Sequence, residues 1–112
     1  MQLSFEHPEP QILQVILDGR LDIIGANEID MRFNTTVSSS QEPVLIDLDK
    51  TSFMSSIGIR LLLGAAQALK RKDIYCAIVR PQKPVKEALR LSGLDQAIPV
   101  FDTLEAGIEA AT

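Results

Sequence analysis

Hydrophobic residues in this chain fall into short, mostly apolar runs that are separated by longer stretches of helical spacing. Such runs, when rich in β-branched side chains, are typical of strands buried in a sheet. The segment His7-Pro8-Glu9-Pro10 is expected to end the first run, because proline has no N–H for a strand ladder. The predicted strands are Gln2–Glu6, Ile12–Leu17, Val44–Leu48, Ile74–Val79 and Ile98–Phe101.

The stretches between these strands carry apolar residues at helical intervals. The second predicted helix has an apolar surface wide enough to contact both a sheet and neighbouring elements. Gly93 follows the third helix, where glycine commonly ends one, and Asp102 has the spacing of a helix cap relative to Glu105. The predicted helices are Ala26–Ser38, Ser56–Lys70, Val85–Ser92 and a last one that ends near Ala111, and Gly19-Arg20-Leu21-Asp22 is expected to form a turn.

The predicted elements follow the order ββαβαβαβα. Alternation of strands and helices implies parallel pairing through right-handed crossovers, after a first pair of antiparallel strands. A chain of 112 residues can bury one core. We therefore predict an α/β fold that forms a single domain over residues 1–112, with a mixed sheet of four to five strands and about four helices.

Composition argues against several functions. The net charge of −4 and the lack of a basic stripe argue against nucleic-acid binding. No apolar run is long enough for direct membrane insertion, and the first residues lack the basic start of a signal peptide, so we expect a complete, cytoplasmic protein. Cys76 and His7 are each the only residue of their type, so we expect no metal site and no cofactor.

Two adjacent serines lie between the strand Val44–Leu48 and the second helix, within Thr51–Ile59, which we call the serine segment. The first turn of a helix has N–H groups without partners, and these would stabilise a phosphate on Ser55 or Ser56. A serine there also serves as an ordinary helix cap, so Ser56 has two possible roles on this ground alone. A close approach of some other group to the start of the second helix would explain Gly58.

Catalysis by these serines is not expected. His7 lies in the opening turn, so the local sequence offers Ser56 no general base. Asp47 and Asp49 precede the serine segment and could hold a metal or accept a phosphate, but acids in this position more often end a strand or cap a turn. We expect a binding module and not an enzyme.

Four motifs occur in the same order as in a known family. They are Gly19-Arg20-Leu21-Asp22, the serine segment, Leu91-Ser92-Gly93-Leu94 and the run from Phe101 to Ala106. Together they resemble the STAS domain of anti-sigma factor antagonists over nearly the whole chain. That family's loop is typically Asp-Ser-Ser/Thr-Gly-Leu, so alignment on Gly58 puts Ser55 at the Asp position, Ser56 at the phosphoacceptor and Ile57 at the second hydroxyl.

The resemblance implies a mechanism of partner switching. The unmodified domain would bind an anti-sigma factor that has serine kinase activity, and the sigma factor would be released. Phosphorylation of Ser56, with Ser55 as the second choice, would block that binding, and a phosphatase would restore it. The expected partner-binding residues are Leu21, Asp22, Ile23, Phe53, Met54, Ser55, Ser56, Ile57, Gly58 and Ile59.

Alternatives remain open on the sequence alone. Small STAS domains also resemble accessory subunits of lipid-transporting ABC systems, and the loss of the family's Asp at Ser55 leaves room for that function. A third possibility is a scaffold subunit of a stress-signalling assembly. Ile23 and Ile24 lie at the mouth of a loop, where one of them could be exposed for a partner or both could be buried under the first helix.

Overall fold

The computed structural model describes residues 1–112 and confirms an α/β fold with a mixed sheet. The elements follow the order ββαββαβααβα, which adds one strand and one short helix to the predicted order. The strands are β1 (Gln2–Glu9), β2 (Ile12–Leu21), β3 (Val44–Asp47), β4 (Thr51–Met54), β5 (Cys76–Val79) and β6 (Val100–Phe101). The helices are α1 (Ile23–Ser38), α2 (Ser56–Arg71), α3 (Lys83–Ser92), α4 (Leu94–Ala97) and α5 (Leu104–Ala111).

The sheet is organised around β2, its longest strand. β2 pairs antiparallel with β1 and parallel with β3, and β5 and β6 continue the sheet in parallel beyond β3. The end of β2 extends past β3 and pairs there with β4, with Gly19 opposite Thr51 and Leu21 opposite Met54. The carboxyl ends of β2 and β4 therefore lie side by side.

The first strand does not end at its prolines, as the sequence had predicted. β1 continues through Pro8 to Glu9, with an irregular register between Glu6 and Glu9. Because β1 is the outermost strand next to β2, one of its edges has no strand partner, and the missing N–H of Pro8 is tolerated there. The prediction that proline ends the strand holds for a central strand, in which each N–H is needed by a neighbouring strand, but not for an edge strand such as β1.

The turn predicted for Gly19-Arg20-Leu21-Asp22 is also wrong. Its first three residues continue β2, where they are held by β4, a strand that the sequence analysis had assigned to a loop. α1 begins at Ile23 rather than at Ala26, because Asp22 caps it: the Asp22 Oδ1 atom accepts a hydrogen bond of 2.8 Å from the N–H of Gly25.

Of two predicted helix caps in the last part of the chain, the structure confirms one and corrects the other. Gly93 adopts a φ of 80° and ends α3, which confirms its predicted place. Thr103, not Asp102, caps α5, since the Thr103 Oγ1 atom accepts a hydrogen bond of 3.1 Å from the N–H of Ala106. The short α4 directly after Gly93 was not predicted.

The remaining boundaries differ from the prediction by one or two residues. β5 starts at Cys76 and β6 at Val100, each later than predicted, and α2 ends at Arg71. α3 starts at Lys83, with Pro84 in its first turn, where the missing N–H of a proline breaks no helical hydrogen bond.

Helices cover both faces of the sheet. Side chains alternate along β3, so that Val44 and Ile46 join the large core beneath α1, α2 and α3, whereas Leu45 joins a smaller core beneath α5. Phe33 of α1 and Leu62 of α2 are fully buried in the large core. The helices leave uncovered the edge of the sheet at which β2 and β4 end. α1 and α2 start from this edge.

Candidate functional site

The serine segment lies where the ends of two parallel strands meet the starts of two helices. β2 leads into α1 and β4 leads into α2. The backbone N–H of Ser55 donates to the carbonyl oxygen of Leu21 at 3.0 Å, which joins the two strand ends. The starts of α1 and α2 are thereby fixed next to each other.

Ser55 is the cap of α2, a role that sequence analysis had considered for Ser56. The Ser55 Oγ atom accepts a hydrogen bond of 3.2 Å from the N–H of Gly58. The same hydroxyl donates to the carbonyl oxygen of Leu21 at 2.8 Å. The half-buried Ser55 hydroxyl thus uses both its proton and a lone pair within the fold.

Ser56 is the first residue of α2 and is exposed. Its hydroxyl makes no hydrogen bond to another group of the protein, in contrast to the hydroxyl of Ser55. N–H groups in the first turn of a helix have no partner within the helix, so the surroundings favour negative charge. The structure therefore gives Ser56 an accessible oxygen at a position that suits an anion.

Gly58 allows α2 to approach the ends of β2 and β4 closely. A Cβ atom at position 58 would lie 2.7 Å from Cγ of Leu21 and 2.8 Å from Sδ of Met54, well inside van der Waals contact. This confirms the close approach that the sequence indicated. Leu21, Met54 and Gly58, which the sequence analysis expects to bind a partner, are buried, and they lie beneath the exposed residues of the serine segment.

Apolar side chains surround this edge. Ile23 and Ile24 are 62% and 68% exposed, and Phe53 is 40% exposed, and we call these three residues the apolar patch. Both isoleucines are thus exposed, and neither is buried under α1. The guanidinium of Arg20 lies over the Phe53 ring at 4.4 Å from its centroid. Large exposed apolar groups of this kind are typical of interaction surfaces.

Asp22 contributes a negative charge next to the apolar patch. The N–H of Gly25 donates to its carboxylate and holds the pKa of Asp22 below its usual value, and the guanidinium of Arg20 lowers this pKa further. The Arg20 Nε atom lies 3.4 Å from the Asp22 Oδ2 atom. Asp22 therefore keeps its charge at neutral pH while it caps α1.

A shallow groove of about 330 Å³ runs between α1 and α2, and its lining includes Ile57, the residue after Ser56. Arg60 and Ile57 of α2 line it on one side, and polar side chains of α1 line it on the other. The full lining is Ala26, Asn27, Asp30, Asn34, Ile57, Arg60, Leu61 and Gly64. The groove extends the accessible surface from the serine segment along both helices.

Of the two acids before the serine segment, Asp47 has structural partners for its carboxylate. Asp47 is buried, and its Oδ2 atom accepts hydrogen bonds from Nε2 of Gln14 at 2.9 Å and from the guanidinium of Arg80 at 2.5 Å. Its Oδ1 atom accepts from the N–H of Asp49 at 3.0 Å. These bonds confirm the structural interpretation of Asp47, as an acid that ends a strand.

The Cys76 thiol and the His7 imidazole lie on other elements, away from this edge. Burial raises the pKa of the Cys76 thiol to about 12, so it stays protonated at neutral pH. His7 lies near the carboxyl end of β1, whereas the start of β1 pairs with the carboxyl end of β2. Its Nε2 atom is 3.1 Å from the Oε1 atom of Glu42.

None of the helices is both long and apolar enough to cross a membrane.

The fold and this edge define a small α/β domain that presents an exposed serine at the start of a helix. The chain belongs to the STAS domain family, which it matches over residues 7–107. The match includes the whole serine segment and the starts of both α1 and α2.

Individual relatives match this chain over most of their lengths, in sequence or in structure. The chain is 28% identical to the anti-sigma F factor antagonist of Paenibacillus polymyxa over 103 residues, which cover 91% of this chain and 87% of the relative. An anti-sigma factor antagonist from Mycobacterium paratuberculosis superposes with a TM-score of 0.88 at 23% identity, covering 98% and 92% of the two chains. The Bacillus cell fate determinant SpoIIAA in its phosphorylated form superposes with a TM-score of 0.72 at 20% identity, covering 99% and 100%.

Proposed function

We propose that this protein is an anti-sigma factor antagonist that works by phosphorylation-controlled partner switching. In its unmodified form the chain, acting as one domain in the cytoplasm, binds an anti-sigma factor with serine kinase activity, and the sigma factor is released. Phosphorylation of Ser56 blocks that binding, and a phosphatase restores it. The chain is a substrate of the kinase and not itself an enzyme.

The exposed hydroxyl of Ser56 is the observation that carries this proposal. It has no partner in the fold, whereas Ser55 is committed to capping α2. Ser56 also starts the helix that follows Phe53 of the apolar patch, so a partner that covers the patch would also cover Ser56. We therefore assign phosphorylation to Ser56 rather than to Ser55.

The modification itself is a phosphoryl transfer that the kinase partner catalyses. The Oγ atom of Ser56 forms a bond to the γ-phosphorus of ATP while the bond from that phosphorus to the bridging oxygen breaks. ADP leaves, and the hydroxyl proton passes to a base of the kinase. The chain needs only to present the hydroxyl in an accessible position, which the first residue of α2 does.

The added charge can account for the switch. A phosphate adds about −1.5 to −2 charges to a surface that is desolvated when the partner binds. Binding must change by about 10⁴-fold, or about 5.5 kcal/mol, to pass from nearly complete to nearly absent. Charge repulsion and the bulk of the phosphate act together at such an interface, without any change in the fold of this domain.

This chain has Ser55 where the family's loop typically has an Asp, and this difference is compatible with the proposed function. The resemblance places an Asp there, and Asp and Ser are about equally good at capping a helix. In this chain the Ser55 hydroxyl performs that task by accepting from Gly58. The substitution therefore removes a charge beside Ser56 and leaves the start of α2 in place.

Binding by defined variants tests the proposal. The full chain serves as bait in extract of its own cells as the unmodified protein, Ser56→Asp and Ser56→Ala, with Ser52→Ala as a control at another exposed serine. We expect all forms except Ser56→Asp to retain a kinase-fold anti-sigma factor, and Ser56→Asp to retain at least tenfold less. When ATP is added to the purified complexes, the kinase should phosphorylate the unmodified chain and Ser52→Ala, which both keep Ser56. It should not phosphorylate Ser56→Ala.

Two results would contradict the proposal. Equal retention of the kinase by Ser56→Asp and the unmodified chain would rule out a charge switch at this serine. Recovery of an ABC ATPase by all four baits, without a kinase, would instead support an accessory subunit of a transport system and leave Ser56 without a regulatory role.

A further inference from the structure

Arg60 lies one helical turn after Ser56 on the same side of α2. Residues four apart on a helix are neighbours, and long side chains lean toward the start of their helix. An arginine at position 60 is therefore long enough, and on the correct side of the helix, to reach a phosphate on Ser56. Both residues are exposed, so nothing in the fold lies between them and solvent.

Arg60 has no acidic partner in the unmodified chain. It takes part in none of the ion pairs of the structure, and its guanidinium makes no hydrogen bond, whereas Arg20, Arg80 and Arg90 each pair with an acid. α2 contains no Asp or Glu at all. Across the groove, Asp30 accepts a hydrogen bond of 2.8 Å from Asn34.

Ser56 is the only position one turn from Arg60 on α2 that can acquire a negative charge. The other residues three or four positions away are Ile57, Leu63 and Gly64, none of which carries an acid or a hydroxyl. A free cation thus stands next to the one residue whose modification would create its counter-ion. This arrangement is particular to Arg60, since Lys70 and Arg71 at the end of α2 lie about four turns away from Ser56.

We propose that the guanidinium of Arg60 forms an intrahelical ion pair with the phosphate of phosphorylated Ser56. The proposal rests on the phosphorylation of Ser56 proposed above and deepens its regulation. The planar fork of a guanidinium can donate two hydrogen bonds to two phosphate oxygens. An acid that precedes its cation by four residues is also the favourable orientation for a helical pair.

The pair gives phosphorylation a second effect on the groove between α1 and α2. In the unmodified chain Arg60 lines that groove and is free to contact a carboxylate of a partner. In the phosphorylated chain the guanidinium is held over the first turn of α2. A single modification then adds negative charge at Ser56 and withdraws a positive charge from the adjoining surface.

The experiment measures the second pKa of the phosphate by phosphorus NMR. Phosphoserine is incorporated at position 56 during translation, so that no kinase is needed. Four full-length chains are titrated at low salt: the natural chain, Arg60→Gln, Arg60→Lys and Arg71→Gln. Arg71→Gln is the matched control, because it removes the same charge from the last turn of the same helix.

A nearby cation favours the doubly charged phosphate, so the pair lowers its second pKa. We expect Arg60→Gln to raise the titration midpoint by about 0.3 to 0.7 pH unit, the size of a charge-assisted helical pair. Arg71→Gln should have the same midpoint as the natural chain. The midpoint of Arg60→Lys should fall between those of the natural chain and Arg60→Gln. Salt at 1 M should bring the four midpoints together, since the pair is exposed.

Equal midpoints for the natural chain and Arg60→Gln at low salt would overturn the inference. Equal increases for Arg60→Gln and Arg71→Gln would also overturn it, because the effect would then come from overall charge. The start of α2 contributes the same to all four chains, so differences among them isolate the arginine.

Failure of the inference is distinguishable from failure of the proposed function. Phosphoserine is built in here, so the titration reports on Arg60 whether or not a kinase exists. Binding of the same phosphorylated chain to the anti-sigma factor is measured separately. Loss of that binding together with equal midpoints would preserve partner switching and reject the role of Arg60.

Discussion

At the scale of single residues, the two serines of this site differ in what their hydroxyls contact. Ser55 bonds to Leu21 and Gly58, whereas the Ser56 hydroxyl is exposed and has no partner. The sequence could place both serines at the start of a helix but could not divide the roles. That division depends on the Leu21 carbonyl, which lies 34 residues away in the chain and is brought close only by the pairing of β2 with β4.

Replacement of each serine by alanine should separate the helix cap at Ser55 from the proposed phosphorylation site at Ser56. We expect Ser55→Ala to lower the free energy of unfolding by about 1 to 2 kcal/mol, because a helix N–H loses its acceptor. Ser56→Ala should change it by less than about 0.5 kcal/mol, as an exposed substitution without lost contacts. Urea denaturation of both variants checks this, and equal losses would show that the two hydroxyls share the cap.

At the scale of elements, the sequence predicted the central strands and all the long helices, because their apolar spacing is regular. It missed β4, whose middle residues Ser52 and Phe53 are both exposed and so show no alternation. It also started α1 too late and ended β1 too early. In each case a neighbouring chain segment decides the structure: β4 holds the end of β2, and the edge position of β1 tolerates Pro8.

Two glycines of α2 provide a matched test of how closely this helix approaches the sheet. We expect Gly58→Ala to lower the free energy of unfolding by about 1 to 3 kcal/mol, since the new methyl group overlaps Leu21 and Met54. Gly64→Ala meets no atom within 4 Å. It should raise stability by about 0.5 to 1 kcal/mol through helix propensity alone.

Thermal or urea unfolding of the two glycine variants gives both values in one series. Opposite signs are expected, because the substitutions are chemically identical and differ only in the space around them. Stabilisation by Gly58→Ala would show that the start of α2 can move away from β2 and β4 at little cost.

At the scale of the whole molecule, the surfaces are unequal. Helices cover both faces of the sheet, and Ile23, Ile24 and Phe53 are exposed together at the edge that also presents Ser56. Leu91 is 71% exposed but belongs to α3, and not to β4 or the start of α1, which carry the apolar patch. We therefore expect partner binding to depend on the apolar patch and not on Leu91, although Leu91 is at least as exposed.

Charge placed in the apolar patch should weaken binding without unfolding the protein. We expect Ile24→Asp to reduce affinity for the anti-sigma factor by at least tenfold, because the partner would have to desolvate a carboxylate. Leu91→Asp, at a residue of similar exposure, should change affinity by less than about twofold. Calorimetric titration measures both, and equal effects would place the interface elsewhere.

The carbonyl oxygen of Leu21 accepts two hydrogen bonds from Ser55, one from its backbone N–H and one from its hydroxyl. This double attachment fixes the carboxyl ends of β2 and β4 to each other within the folded chain. A preorganised edge loses little conformational entropy on association, so the rate of complex formation should be limited by diffusional encounter and not by rearrangement. Under the proposed function, the complex would then respond to dephosphorylation of Ser56 as quickly as the two proteins meet.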